Sequence, residues 1–145
     1  MKYKLYNCSS WSLARLLRYK EQLSQAMEKL ARRFPGDIAV LDILQDITSG
    51  RHEMWLILDE QEEFIAFLTT ELKLTLEGKK RLNLCQLGGR GGTVLAQFLP
   101  QLEQYGRDHG ASEICPVGRI GWLRVLGQLG YKPEILKYRK DLTHG

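Results

Sequence analysis

The chain has 145 residues, 43% of them hydrophobic and 26% charged, enough to bury one core and too few for two ordinary domains. Its 21 basic and 17 acidic residues leave a net charge of +4, a mild excess that permits an anionic partner without indicating one. No apolar run approaches the roughly 20 residues that cross a bilayer, and the basic start Met1-Lys2-Tyr3-Lys4-Leu5-Tyr6 lacks the apolar stretch of a secretory signal. The expectation is a cytoplasmic protein with no membrane partner.

In chain order, Lys2 to Cys8 alternate weakly and are rich in tyrosine, which predicts a short first strand, and Ser9 or Ser10 then supplies an N-cap. Leu13, Leu16, Leu17, Leu23, Met27, Leu30 and Phe34 keep the spacing of one helix face, so a helix runs to the stop at Pro35-Gly36. Asp37 caps a second helix, lined by Ile38, Leu41, Leu44 and Ile47 and closed by Gly50. Met54 to Leu58 is a continuous apolar run of strand length, followed by the polar turn Asp59 to Glu63. Phe64 to Leu68 continues into the alternation Leu72, Leu74, Leu76, which reads as the second arm of a long hairpin, and Gly78-Lys79-Lys80 turns the chain into a further strand over Leu82 to Gln86.

Gly88-Gly89-Arg90-Gly91-Gly92 then opens a helical pattern through Val94, Leu95, Phe98, Leu102 and Tyr105. Pro100 inside it predicts a kink or restart, since proline removes a backbone donor and crowds the carbonyl four residues earlier. Glu113 to Val117 reads as a buried strand, Arg119 to Leu129 as the last helix with Gly130 after it, and Glu134 to Leu142 as a closing strand. Cys8, Cys85 and Cys115 are odd in number and widely spaced, and His52, His109 and His144 are scattered. Neither set has the spacing of a disulfide framework or a zinc site, so the cysteines read as small buried hydrophobes and no metal is expected.

This organisation resembles the GNAT acyltransferases over nearly the whole chain, as one domain spanning residues 1–145. The residues that carry the resemblance most specifically run from Gly118-Arg119-Ile120-Gly121-Trp122 through Leu129-Gly130-Tyr131 to the basic strand Tyr138-Arg139-Lys140-Asp141-Leu142. Gln86-Leu87-Gly88-Gly89-Arg90-Gly91 also satisfies the family's pyrophosphate-loop pattern, where glycines let backbone amides approach an anion at a helix N-terminus. The resemblance implies an α+β, three-layer fold with a mixed, mostly antiparallel sheet of about six or seven strands flanked by helices. The strand-loop-helix-strand order from Leu82 to Val117 predicts that the Leu82–Gln86 and Glu113–Val117 strands run parallel, with a splay between them. The cofactor that the resemblance implies is acetyl-CoA or another acyl-CoA, held by Leu87, Gly88, Gly89, Arg90, Gly91, Gly92 and Thr93 with Arg119 near the phosphates. Trp55 after Gly50-Arg51, the Leu-Gly-Gly loop and Gly-Arg-x-Gly-Trp are similar, besides, to a phage-encoded GNAT-like subgroup.

Departures from the family pattern bear on chemistry. Leu126 stands where catalytic members place a tyrosine that protonates the leaving thiolate, Arg119 stands where an asparagine is common, and the glycines follow the strand without the usual spacer. Glu71, at a position where the family often keeps a carboxylate, is a candidate base provided burial raises its pKa, and Tyr131 is a candidate proton donor. Two readings stand side by side. One is an acyl-CoA-dependent N-acyltransferase with a degenerate site acting on a small-molecule or protein amine. The other is a catalytically inert GNAT-fold module of phage or prophage origin that binds or assembles with a protein partner. Dispersed basic residues without a recognised motif argue against nucleic acid.

Overall fold

The computed structural model describes residues 2–90, 92–117, 122–135 and 137–143. Among them a five-stranded sheet has the order β1-β2-β3-β4-β5, formed by β1 (Lys4–Asn7), β2 (Glu53–Leu58), β3 (Phe64–Leu74), β4 (Lys80–Gly89) and β5 (Glu113–Pro116). The first three pairings are antiparallel, and β4 and β5 run parallel from Arg81↔Glu113 to Leu84↔Pro116. That parallel pair is the one expected of a strand-helix-strand crossover.

Helices cover both faces. On one face α1 (Leu13–Leu17), α2 (Lys20–Arg33) and α3 (Val40–Thr48) bury Met27 and Ile43 against Leu56, Leu58 and Phe67. On the other, a 3-10 helix at Gly92–Phe98 and α4 (Leu99–Asp108) bring Leu95, Phe98, Leu99 and Leu102 onto Ile57, Leu68, Leu82 and Leu84, with Leu126 of α5 (Leu123–Gln128) packed beside them. Alternate residues of β2 and β3 therefore feed two cores, which makes the three-layer arrangement. The helix across Pro100 restarts as expected, with the proline in the first turn of α4. No helix is long and apolar enough to cross a membrane among the described residues.

Four expectations are corrected. The single helix from Leu13 to Phe34 is two, broken at Arg18-Tyr19, because the Tyr19 ring turns into the core and its hydroxyl donates to the Glu62 carbonyl at 2.8 Å. Asp37 does not cap α3; it lies before the helix and pairs with Lys137 at 3.3 Å and Arg139 at 2.9 Å, while Ser12, not Ser9 or Ser10, caps α1 by accepting from Arg15 N. The sheet has five strands among the described residues rather than six or seven, since Glu134, Ile135 and 137–142 form no ladder.

The end of β4 shows what its glycines do. Gly88 lies opposite Phe67, where a Cβ would come within 2.5 Å of the ring, and Gly89 has φ +126° with a Cβ position 2.5 Å from the Ile65 carbonyl oxygen. Side chains are excluded at both positions by β3 itself. Gly89→Ala is accordingly expected to cost about 2 to 4 kcal/mol, from backbone strain plus a backbone clash, whereas Gly36→Ala, with nothing within 4 Å, should stay within about 0.5 kcal/mol of the parent. Urea denaturation of the two variants checks this; a Gly89→Ala midpoint equal to that of Gly36→Ala would show that the strand end relaxes freely.

Candidate functional site

Two regions of β4 carry the candidate chemistry: its C-terminal end, and a polar cluster one step earlier. At the end, Leu87, Gly88 and Gly89 are residues of the strand, paired with Leu68, Phe67 and Ala66. Arg90 continues this attachment, its amide donating to the Ile65 carbonyl at 2.8 Å and its guanidinium to the Phe64 carbonyl at 3.2 Å. Gln86 is held the same way: its amide donates to Thr69 Oγ1 at 3.0 Å, and the Thr69 hydroxyl donates to its side-chain carbonyl. Half of the glycine-rich motif thus serves the β3–β4 junction. The 3-10 helix starts at Gly92, so the amides of Gly92 and Thr93 belong to its first turn, where N–H groups lack acceptors within the helix. Gly91 and Arg119 lie outside the described residues.

On its other edge β4 parts from β5. The last backbone bond between them among the described residues is Val117 N to the Leu84 carbonyl at 3.3 Å, and β4 runs on to Gly89. The stretch from Cys85 to Gly89 therefore presents backbone groups that β5 does not pair.

Glu71 and Tyr131 are both engaged. Burial would raise the Glu71 pKa, but the Arg51 guanidinium at 2.9 Å and the neighbouring Asn83 and His52 outweigh it, so the carboxyl is held below its ordinary range. This is the reverse of the raised pKa that a general base at this position requires. The Tyr131 hydroxyl donates to Glu103 Oε2 at 2.6 Å, and burial followed by that carboxylate raises its pKa. Tyr105 is tied in the same manner to Glu53 at 2.7 Å and stands edge-on to Trp55, whose indole donates to Thr70 at 2.9 Å. Leu126 is half-buried with Trp122 and Tyr131 against the α4-side core.

The polar cluster has no counterpart in the sequence reading. A register shift between Thr69 and Thr70 pairs them with Gln86 and Leu84, which leaves Cys85 as the extra residue of a bulge. Its Sγ lies 3.8 Å from His52 Nε2, and that nitrogen lies 3.8 Å from Glu71 Oε2. His52 is 7% exposed and follows the turn that ends α3, its amide donating to the Asp46 carbonyl at 2.9 Å. Burial first, then the Glu71 charge, pushes the Cys85 thiol up to about 11. Cys8, in contrast, is a buried thiol pushed to about 12 by desolvation, as a small core hydrophobe should be. The alternation of Leu82, Leu84 and Gln86 with Asn83 and Cys85 carried no signal of the bulge.

No family model matches the sequence, and no curated protein matches it. Solved structures do. The chain superposes on glucosamine-6-phosphate N-acetyltransferase from Arabidopsis thaliana with TM-score 0.65 at 9% identity, covering 98% of this chain and 99% of that one. An aminoglycoside acetyltransferase from an uncultured soil metagenomic sample gives TM-score 0.65 at 12% identity, covering 99% of this chain and 100% of that one. An acetyltransferase from Trypanosoma brucei gives 0.59 at 14% identity over 97% and 100%. These neighbours are GNAT-type acetyltransferases, and at such identities the likeness is one of fold: the chain has the mixed α+β GNAT fold.

Proposed function

We propose that this protein is an acyl-CoA-dependent N-acyltransferase of the GNAT fold with a degenerate active site, acting on a small-molecule or protein amine. The observation that carries the proposal is that, among the described residues, the β4–β5 pairing ends at Leu84 and Val117 while β4 runs on to Gly89, within a fold shared end to end with acetyltransferases. An extended ligand rich in amides finds backbone along Cys85 to Gly89 that no described residue of the β5 side pairs, and its anionic end finds the first-turn amides of the 3-10 helix. An acyl-CoA has both features and supplies an activated thioester. The fit is partial, because Arg90 and Gln86 are bound to β3; among the described residues the anion cradle is then Gly92 and Thr93, with Gly91 and Arg119 outside them.

The residues of the chain contribute position more than proton transfer. Leu126 carries no proton, Tyr131 is bound to Glu103 with a raised pKa, and Glu71 is a carboxylate stabilised by Arg51. An amine would have to enter already neutral and attack the thioester directly, with proximity supplying most of the acceleration. The same three observations favour a second reading, a catalytically inert module that binds or assembles with a protein partner; a phage or prophage setting for it rests on sequence resemblance alone.

Turnover of acetyl-CoA against a broad panel of amines separates the two. The proposal expects measurable rates about 10² to 10⁴ below the ~10 per second typical of enzymes, which is the loss that follows removal of a positioned general acid. No turnover with any amine supports the inert module, and ordinary enzyme rates would show that a group other than Leu126 protonates the thiolate.

Leu126→Tyr gives a further expected outcome. Because Leu126 packs on the core beside Trp122 and Tyr131, the larger polar ring should lower stability by about 1 to 3 kcal/mol and leave the rate essentially unchanged. Thermal denaturation and the same turnover assay read both effects; a large gain in rate would place residue 126 at the cleft.

A further inference from the structure

We propose that His52, Glu71 and Cys85 form a binding site for one zinc-class divalent cation, independent of acyl transfer, with a fourth position left open to solvent. The three ligand atoms, Nε2, a carboxylate oxygen and Sγ, lie within 4.8 Å of one another, and the two closest approaches are each 3.8 Å. Tetrahedral zinc with bonds of about 2.0 to 2.3 Å holds its ligands about 3.3 to 3.7 Å apart. A contraction of a few tenths of an ångström at the closest approaches begins to assemble the site.

His52 provides an independent observation. Its ring is buried, and Nδ1 is the buried side-chain nitrogen or oxygen that finds no hydrogen-bond partner among the described residues. Its two nitrogens face Asp46 Oδ2 and Glu71 Oε2, both at 3.8 Å, which is beyond hydrogen-bond length. Nε2 meets the Cys85 thiol at 3.8 Å, so the unsatisfied atom is Nδ1; a buried ring nitrogen left without a partner is costly and calls for a rearrangement or a bound water or ion. A cation on Nε2 resolves the arrangement: it fixes the proton on Nδ1, aimed at the Asp46 carboxylate, which is the carboxylate-histidine-metal relay found around zinc.

Backbone and charge agree with this assignment. The bulge turns Cys85 out of the strict alternation of β4, Glu71 sits on β3 opposite Asn83, and the His52 amide is anchored to the end of α3, so three separate elements aim at one point. With the thiol protonated and the imidazole neutral, Asp46, Glu71 and Arg51 carry one net negative formal charge. A divalent cation that displaces the thiol proton brings the group to neutrality. Thiolate, imidazole and carboxylate together select zinc or its close analogues over calcium or magnesium. Cys85 and Glu71 are only partly buried, which leaves the ion a way in.

Metal-free protein titrated with Co²⁺, and then with Zn²⁺ in competition, tests the site. The expected result is a thiolate-to-cobalt charge-transfer band that saturates at one equivalent, is displaced by Zn²⁺, persists in Cys115→Ser and is lost in Cys85→Ser. Asp46→Asn should keep the band and weaken the metal about 10- to 100-fold. Should Cys85→Ser fail to fold, alkylation of the parent mapped by mass spectrometry replaces it, with Zn²⁺ expected to protect Cys85 and to leave Cys115 reactive. A titration with no charge-transfer band, a band that survives Cys85→Ser, or equal alkylation of Cys85 with and without Zn²⁺ would overturn the assignment.

Discussion

The close approach of β4 to β3 is the constraint on which the rest depends. β3 is buried along most of its length, and at its start the Phe67 ring and the Ile65 carbonyl occupy the space where side chains at 88 and 89 would go. Two glycines are therefore required, and with them in place the amide and guanidinium of Arg90 reach the carbonyls of Ile65 and Phe64. This seam fixes where β4 ends and where the following helix begins. It also leaves one residue too many on β4 between Leu84 and Gln86, and the resulting bulge presents Cys85 to His52.

Much of the fold was legible because the strands that make it are local apolar runs with polar turns between them. The Asp59 to Glu63 turn is an example: the Asp59 carboxylate accepts from the amides of Gln61 at 2.8 Å and Glu63 at 3.0 Å, chemistry written in the turn's own residues. What escaped the sequence was tertiary. The break at Tyr19 exists because a hydroxyl reaches Glu62 across the fold, and periodicity around Leu16 to Leu23 has no way to register that. The closing segment is likewise held by tertiary contacts that the sequence does not print, Lys137 and Arg139 reaching Asp37 at 3.3 and 2.9 Å rather than a neighbouring strand among the described residues.

The candidate site shows the same division. The glycine-rich motif was visible, yet its first half answers to sheet packing rather than to an anion, a distinction that needs the distance from Gly88 to Phe67. Glu71 was visible as a carboxylate but not as the partner of Arg51, which reverses the expected direction of its pKa. Cys85 looked like a core residue because its neighbours alternate; one extra residue in the ladder changed what it faces. Fold and chemistry are thus separable in this chain, as they are in other folds that host many functions.

In the proposed reading the β4 edge and the helix start bind an acyl-CoA although the usual proton donor is gone. Isothermal titration with acetyl-CoA measures this without requiring turnover. The expected result is a saturable heat with one ligand per chain, weakened by added salt in the manner of an anion held by backbone amides. A flat titration at high protein and ligand concentration, from protein shown to be folded, would contradict it and leave the inert binding module as the better description.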